Sequence, residues 1–252
     1  MSSDLGILYR DYLPLDLAPI IQNNRTVLVQ ASNSIAESRW LLELANTNSF
    51  IAGVVGWVDL LNPDTHLDEL CADPKFKGVR HLVESEPDDD WLIRPTVLSG
   101  LKQLSARGLS YDLLVHTRHL KHVPRVAESC PDLALVIDHL AKPPIARNEI
   151  KEWAQAFKSL ARYSKISCKL SGLVTEANWS SWRTDDLRPY VNVALESFGA
   201  DRIMFGSDYP VCLLAASYDR VLDAFQEILK SLSDADRDKI FSQNAEKFYR
   251  LN

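Results

Sequence analysis

Short apolar runs alternate with longer stretches of helical periodicity along most of the chain. Runs rich in Val, Ile and Leu predict strands over 26–31, 51–59, 78–83, 111–115, 133–140 and 166–171. A last one, over 203–205, stops at Gly206-Ser207-Asp208. Between them, apolar residues three and four apart predict helices over 35–46, 66–72, 97–107, 120–129, 150–162 and 185–198. Two more helices, 216–232 and 234–251, close the chain, and one over 13–23, shortened by Pro19, precedes the first strand.

Strand alternating with helix dictates parallel pairing through right-handed crossovers. Strands starting near 26, 51, 78, 111, 133, 166 and 202 recur about every 29 residues, close to the roughly 31 per unit of a typical (β/α)₈ barrel. The count stops at seven, and the chain opens on a helix, as though the first unit had lost its strand. The expected architecture is α/β: a TIM (β/α)₈-type barrel with its first strand missing, one domain over residues 1–252. Loss of a strand leaves two sheet edges whose amides need cover. The apolar segment LGILY at 5–9 is expected to fill part of that gap and to leave a more open pocket. No Gly-rich loop follows a strand, which disfavours a doubly wound nucleotide-binding fold.

Composition narrows the function classes. The formal net charge is −6 with no basic block, which argues against a nucleic-acid surface. Cys71, Cys130, Cys168 and Cys212 lie far apart, so neither a zinc knuckle nor a redox C-x-x-C motif is indicated. No run reaches membrane-spanning length, and MSSDLGILYRDYLP lacks the basic start and apolar stretch of a secretory signal, so a cytoplasmic location is expected.

Polar residues collect where strands end: Gln30, Asp59, Arg80-His81, Asp138-His139, Lys169 to Ser171 and Asp208. In a barrel these ends converge on one face. Asp208 is the candidate catalytic base, and its other reading is a cap on the following turn. His139 is suited to polarising a carbonyl, shuttling a proton or binding a metal, or else to a buried bond with backbone. Its neighbours Asp138 and Lys142-Pro143-Pro144 favour function. Arg80 and His81 point to opposite faces of their strand, so at most one lines the interior unless the strand ends between them. Lys169 either pairs with a carboxylate or contacts a substrate oxygen. His116, His119 and His122 read as a solvated helix start. The acidic stretch 84–90 reads as a solvated loop bordering the pocket. Trp91, Trp179 and Trp182 suit either an apolar wall for a sugar ring or packing.

Four segments, GVRHLVESEPDDDWL (78–92), VIDHLAKPPI (136–145), SCKLSGLVTEANW (167–179) and RIMFGSDYPVC (202–212), resemble the amidohydrolase-related family and within it the sugar-lactonase branch. The resemblance implies a (β/α)₈ barrel that hydrolyses a lactone ring, with Asp208 activating water and His139 beside the reacting carbonyl as electrophile or metal ligand. It also implies substrate contacts at Arg80, His81 and Lys169. Family members usually begin with a strand bearing His-x-His, and nothing like it precedes Leu13. A metal site would then rest on His139 and Asp208 alone, short of the three protein ligands of a catalytic zinc site. No cofactor is therefore expected to be required, with zinc or another divalent metal as the weaker option. The expected partner is a small-molecule lactone, with oligomerisation left open. The alternative is a non-catalytic relative that binds a sugar acid or a protein.

Overall fold

The computed structural model describes residues 3–21 and 23–251, so Met1, Ser2, Gln22 and Asn252 lie outside the described residues. The strands are β1 (Thr26–Val29), β2 (Ile51–Gly56), β3 (Phe76–His81), β4 (Ser110–Leu113), β5 (Ala134–Ile137), β6 (Ile166–Leu170) and β7 (Ile203–Phe205). Among the described residues they form one sheet in the order β1-β2-β3-β4-β5-β6-β7, each parallel to the next, and β1 and β7 do not pair. The sheet is thus an incomplete barrel, open where a closing strand would stand.

Helix α1 (Pro14–Leu17) precedes the sheet. The predicted helix over 13–23 shrinks to this one turn, because Pro19 has no amide with which to continue it. Helices α2 (Ile35–Thr47), α3 (Asp64–Cys71), α4 (Pro95–Ala106), α5 (Val123–Ser129) and α6 (Ile150–Ser159) follow the first five strands in turn. Then α7 (Leu173–Glu176) and α8 (Thr184–Phe198) follow β6, while α9 (Tyr218–Leu229), α10 (Asp234–Asp238) and α11 (Asn244–Tyr249) follow β7. Ser34 starts α2 by accepting the Glu37 amide at 3.3 Å. The outward faces of the strands and the inward faces of the helices share one continuous apolar core.

The inner face divides into two layers. The lower layer is apolar: Val55, Val136 and Met204 pack with Val27 and Val29. The upper layer is charged. Register sets this pattern: Arg80 lies beside Asp112, and Asp112 beside Val136, so all three point the same way. Two residues on, Asp138 also turns inward, and Lys169 joins it from β6.

The gap is managed from the C-terminus, and this corrects the expectation for residues 5–9. The N-terminal turn Ser3–Leu8 packs instead on the turn Val211–Leu214 after β7, with Leu8 buried and Ile7 and Tyr9 exposed. The side chain of Leu5 is outside the described set. It is α11 that supplies Tyr249, Ala245 and Phe248 to the lower layer, followed by Leu251. Asn244 donates to the carbonyls of Ala200 and Ile203, both at 2.6 Å, which ties the helix to β7. Arg250 and Lys77 exchange side-chain to carbonyl bonds at 3.1 Å, which ties the chain end to β3. An aromatic body with a polar tip suits this place: the Tyr249 ring fills the apolar layer while its hydroxyl donates to Asp112 Oδ2 at 2.7 Å.

Tyr249→Phe is therefore expected to cost about 1.5–3 kcal/mol, the worth of a hydrogen bond to a charged group. Tyr249→Ala should cost more, about 3–5 kcal/mol, by opening a cavity. Urea unfolding checks both as a lower midpoint at unchanged slope. A midpoint unmoved by Tyr249→Ala would show that the plug is dispensable.

Candidate active site

Asp208 stands one turn beyond β7, with a left-handed backbone (φ 56°) that an aspartate tolerates better than most residues. Its backbone carbonyl, not its carboxylate, accepts the Cys212 amide at 2.9 Å. Among the described residues no amide donates to the carboxylate, so the capping role does not occupy it. The side chain is 15% exposed, and its Oδ1 lies 3.8 Å from His139 Nε2.

His139 is presented by an unusual stretch of chain. The predicted strand over 133–140 ends at Ile137, and His139, Leu140, Ala141 and Lys142 all have φ between 50° and 61°. Each such non-glycine residue costs of order 1 kcal/mol or more, so neighbours must hold the run in place. Trp153 Nε1 donates to the Leu140 carbonyl at 2.7 Å, and Ser171 Oγ lies 2.8 Å from His139 Nδ1. Behind the ring, Gly172 (φ 65°) leaves the room it needs: a Cβ there would stand 2.6 Å from Nδ1. Burial pushes the imidazole pKa down, against the pull of Asp208, and so favours a neutral ring. The tautomer that satisfies both neighbours accepts the Ser171 hydroxyl at Nδ1 and carries its proton on Nε2, facing Asp208.

Beneath this pair lies a buried charge network. Lys169 Nζ is 2.5 Å from Asp112 Oδ2 and 2.7 Å from Asp138 Oδ1. Arg80 donates to Asp138 Oδ2 at 3.0 Å and to the Gln30 carbonyl, while Gln30 Nε2 returns a bond to the Arg80 carbonyl at 3.0 Å. Burial opposes the Lys169 charge, but Asp112 and Asp138 together hold its pKa above the ordinary value. Burial likewise opposes ionisation of Asp138, yet Lys169 and then Arg80 hold it well below the usual carboxylate range. Burial raises the pKa of Asp112, with Lys169 opposing.

The structure separates the sequence candidates. Arg80 enters the interior and His81 does not, as strand alternation requires. His81 Nδ1 accepts the Trp57 indole at 3.0 Å, its Nε2 lies 2.6 Å from Glu86 Oε1, and its ring stacks on Trp91 at 3.9 Å. Both ring nitrogens are engaged, which leaves His81 no free atom for a substrate. His119 and His122 are buried, against the expected solvated helix start: His119 accepts the His116 amide at 3.1 Å, and His122 Nε2 lies 3.1 Å from Asp90 Oδ1. Trp91 and Trp182 are packing residues, while Trp179 is 47% exposed. Sequence reading passed over Asp112 and Tyr249 as members of this constellation, while Ser171 stood among the polar strand ends. Only Asp112 carried a signal, a charge inside the apolar run YDLLV.

The family model described as "Amidohydrolase" matches residues 3–251. The chain belongs to the amidohydrolase family. Within it the chain groups with the sugar-lactonase branch. It is 39% identical to L-fucono-1,5-lactonase of Burkholderia ambifaria, covering 98% of this chain and 88% of that protein. With L-fucono-1,5-lactonase of Burkholderia multivorans the identity is 38%, covering 100% of this chain and 90% of the relative. A solved amidohydrolase from Burkholderia multivorans with bound zinc superposes with a TM-score of 0.93 at 37% identity, covering 100% of this chain and 93% of that one.

In the present amidohydrolase the donor set falls short of a catalytic zinc site. Among the described residues no group of three His, Cys, Asp or Glu side chains is placed to share a metal ion. His139 and Asp208 would offer two ligands where such a site uses three, and Asp112 and Asp138 are engaged by Lys169 and Arg80.

The same burial predicts a pH dependence of stability. His81, His116, His119, His122 and His139 all have pKa values lowered chiefly by burial. Below about pH 6.5 the unfolded chain takes up protons that the folded amidohydrolase does not, so stability falls as pH falls through that window. Asp112 and Glu176, raised by burial, act in the opposite sense, two groups against five. The urea midpoint is expected to be lower at pH 5.5 than at pH 7.5. An equal or higher midpoint at pH 5.5 would mean that the imidazoles are charged in the fold.

Proposed function

We propose that this amidohydrolase opens the lactone ring of a sugar acid by attack of water at the ring carbonyl, with Asp208 as general base and His139 as electrophile. The observation that carries this reading is the uncapped Asp208 carboxylate facing His139 Nε2 across 3.8 Å. In this reading the water bonds to Asp208 and the carbonyl oxygen to Nε2–H, each at about 2.8 Å. The two relatives named L-fucono-1,5-lactonase support the substrate class.

The steps follow from the groups present. Asp208 accepts a proton as the water oxygen bonds to the carbonyl carbon. His139, neutral and held by Ser171, donates from Nε2 to the oxygen on which negative charge grows. The carbon–oxygen bond of the ring then breaks, Asp208 returns the proton to the leaving oxygen, and a hydroxy acid departs. A neutral imidazole serves this role without being spent as a base, since Asp208 takes the proton. Arg80 and Lys169, expected from sequence as substrate contacts, act in this reading as positioning residues: their bonds go to Asp138, Asp112 and Gln30. His81 is held in the same way by Trp57 and Glu86.

Acid release from a panel of aldonolactones tests the reading. Asp208→Asn keeps the shape and removes the base, and is expected to lose about 10²–10⁴-fold in kcat. His139→Ala should lower kcat rather than only raise KM. Activity of Asp208→Asn within about threefold of wild type would sink the assignment, since a general base is worth far more. Failure of the wild type to open any lactone would favour the non-catalytic alternative.

A further inference from the structure

The acidic stretch 84–90, expected from the sequence as a solvated loop, is pinned by its acids. Buried residues anchor it at both ends, Val83 on one side and Trp91 and Leu92 on the other, but no residue between them is buried. Polar contacts hold it instead, and each of its five carboxylates has a basic or imidazole partner. Glu84 pairs with Lys142 and Asp88 with Arg94. The other three face histidines. Glu86 Oε1 lies 2.6 Å from His81 Nε2, Asp89 Oδ1 3.4 Å from His119 Nε2, and Asp90 Oδ1 3.1 Å from His122 Nε2. Arg118 also reaches Asp89 at 2.8 Å, in a pair nearly half exposed on both sides and so a weak tie. Three histidines from two elements, β3 and the turn Thr117–His122, thus grip one segment.

The far side of two of these rings fixes their protonation. His81 Nδ1 accepts the Trp57 indole N–H at 3.0 Å, and His119 Nδ1 accepts the His116 amide at 3.1 Å. A nitrogen that accepts carries no proton, so each ring is neutral with its proton on Nε2, toward the carboxylate. Neither an indole nor an amide N–H can turn into an acceptor. A second proton on Nδ1 would therefore set N–H against N–H and leave a buried donor unpaired. His139 differs, because its neighbour at Nδ1 is the Ser171 hydroxyl, which can rotate to accept. In keeping with this, burial lowers the pKa of His81, His119 and His122 against the pull of the facing carboxylates and of Asp59 on His81. Arg118 and His116 act on His119, and Lys121 on His122, in the same direction as burial.

We propose that segment 84–90 is an acid-released clasp beside the candidate site, closed while His81, His119 and His122 are neutral and loosened as they take up protons. Loosening withdraws Glu86, Asp89 and Asp90, admits water to the rings and frees them to turn from their Nδ1 partners and ionise. The open segment then binds more protons than the closed one, so falling pH favours opening. Glu84 carries the effect inward. It holds Lys142, whose amide donates to the His139 carbonyl at 2.8 Å. The device is independent of the reaction performed at His139 and Asp208.

Hydrogen exchange of the wild-type chain at pH 7.5 and pH 5.5, each corrected for the intrinsic chemical rate, tests this. Peptides over 84–90 are compared with peptides over β5 in the same sample. Opening of 84–90 relative to β5 is expected to rise about tenfold or more at pH 5.5, since each imidazole with an open-state pKa near about 6.5 contributes up to about tenfold there. Carboxylates, with ordinary pKa values of about 4, stay ionised across that window. His81→Gln and His119→Gln each keep a neutral N–H donor for the segment, and the double variant should lose most of the pH dependence. Nitrogen-15 NMR of the wild-type imidazoles needs no variant to fold: His81 and His119 should show the neutral Nε2–H form at pH 7.5. An opening ratio equal at the two pH values overturns the proposal, as does a double variant that keeps the full wild-type pH dependence. So does a rise in 84–90 and β5 together, which is global unfolding. A charged or Nδ1–H ring at His81 or His119 at pH 7.5 overturns it as well.

Discussion

Lys169 joins the strands that the backbone alone leaves incompletely tied. A closed barrel carries its hydrogen-bond ladder around the whole circuit. Here the ladder stops between β7 and β1. Side chains crossing the interior connect what remains: Lys169 of β6 to Asp112 of β4 and Asp138 after β5, Asp138 to Arg80 of β3, and Arg80 to Gln30 after β1. Tyr249 extends the network to α11. Taking these charges out of water costs several kcal/mol per ion, and only complete pairing offsets it. Removing one member therefore does more harm than the loss of one bond would suggest, because its partners stay buried and charged.

The candidate pair, Asp208 and His139, sits on strained backbone that its own neighbours hold in place. Asp208 and the run His139 to Lys142 adopt left-handed backbone that costs free energy at every residue. That cost is borne because the surroundings leave no alternative: the indole of Trp153, the hydroxyl of Ser171 and the bare Cα of Gly172 each fit one conformation of the turn. In return, a neutral imidazole and an uncapped carboxylate face each other at the end of the sheet. The same turn carries Lys142, so His139 and Lys142 share one short piece of backbone.

Much of this was legible in the chain itself. Strand and helix alternation, the spacing of about 29 residues and the missing first strand follow from periodicity, which reports local burial and little else. The polar strand ends pointed to Asp208 and His139, because parallel strands end together on one face. Alternation along β3 foretold that Arg80 and His81 would part company.

What the sequence could not determine was which side chains meet across the interior, since contact between Lys169 and Asp112, 57 positions apart, depends on how far the sheet curls. Asp112 looked like an odd charge in an apolar run and became half of an ion pair only once β4 faced β6. Whether Lys169 would hold carboxylates or touch substrate was likewise open until its neighbours were in place. The gap beside β1 drew one expectation from the sequence, the apolar segment at 5–9, although the C-terminal helix is apolar as well. Local pattern does not rank them, because the choice rests on reach: Tyr249 offers an aromatic ring for the lower layer and a hydroxyl for Asp112 together, and the short turn at 3–8 packs elsewhere. The sequence alone determined the order of elements and the identity of the reacting pair as candidates. The tertiary structure decided which charges are paired and which carboxylate stays uncapped, because both depend on distances between residues far apart in the chain.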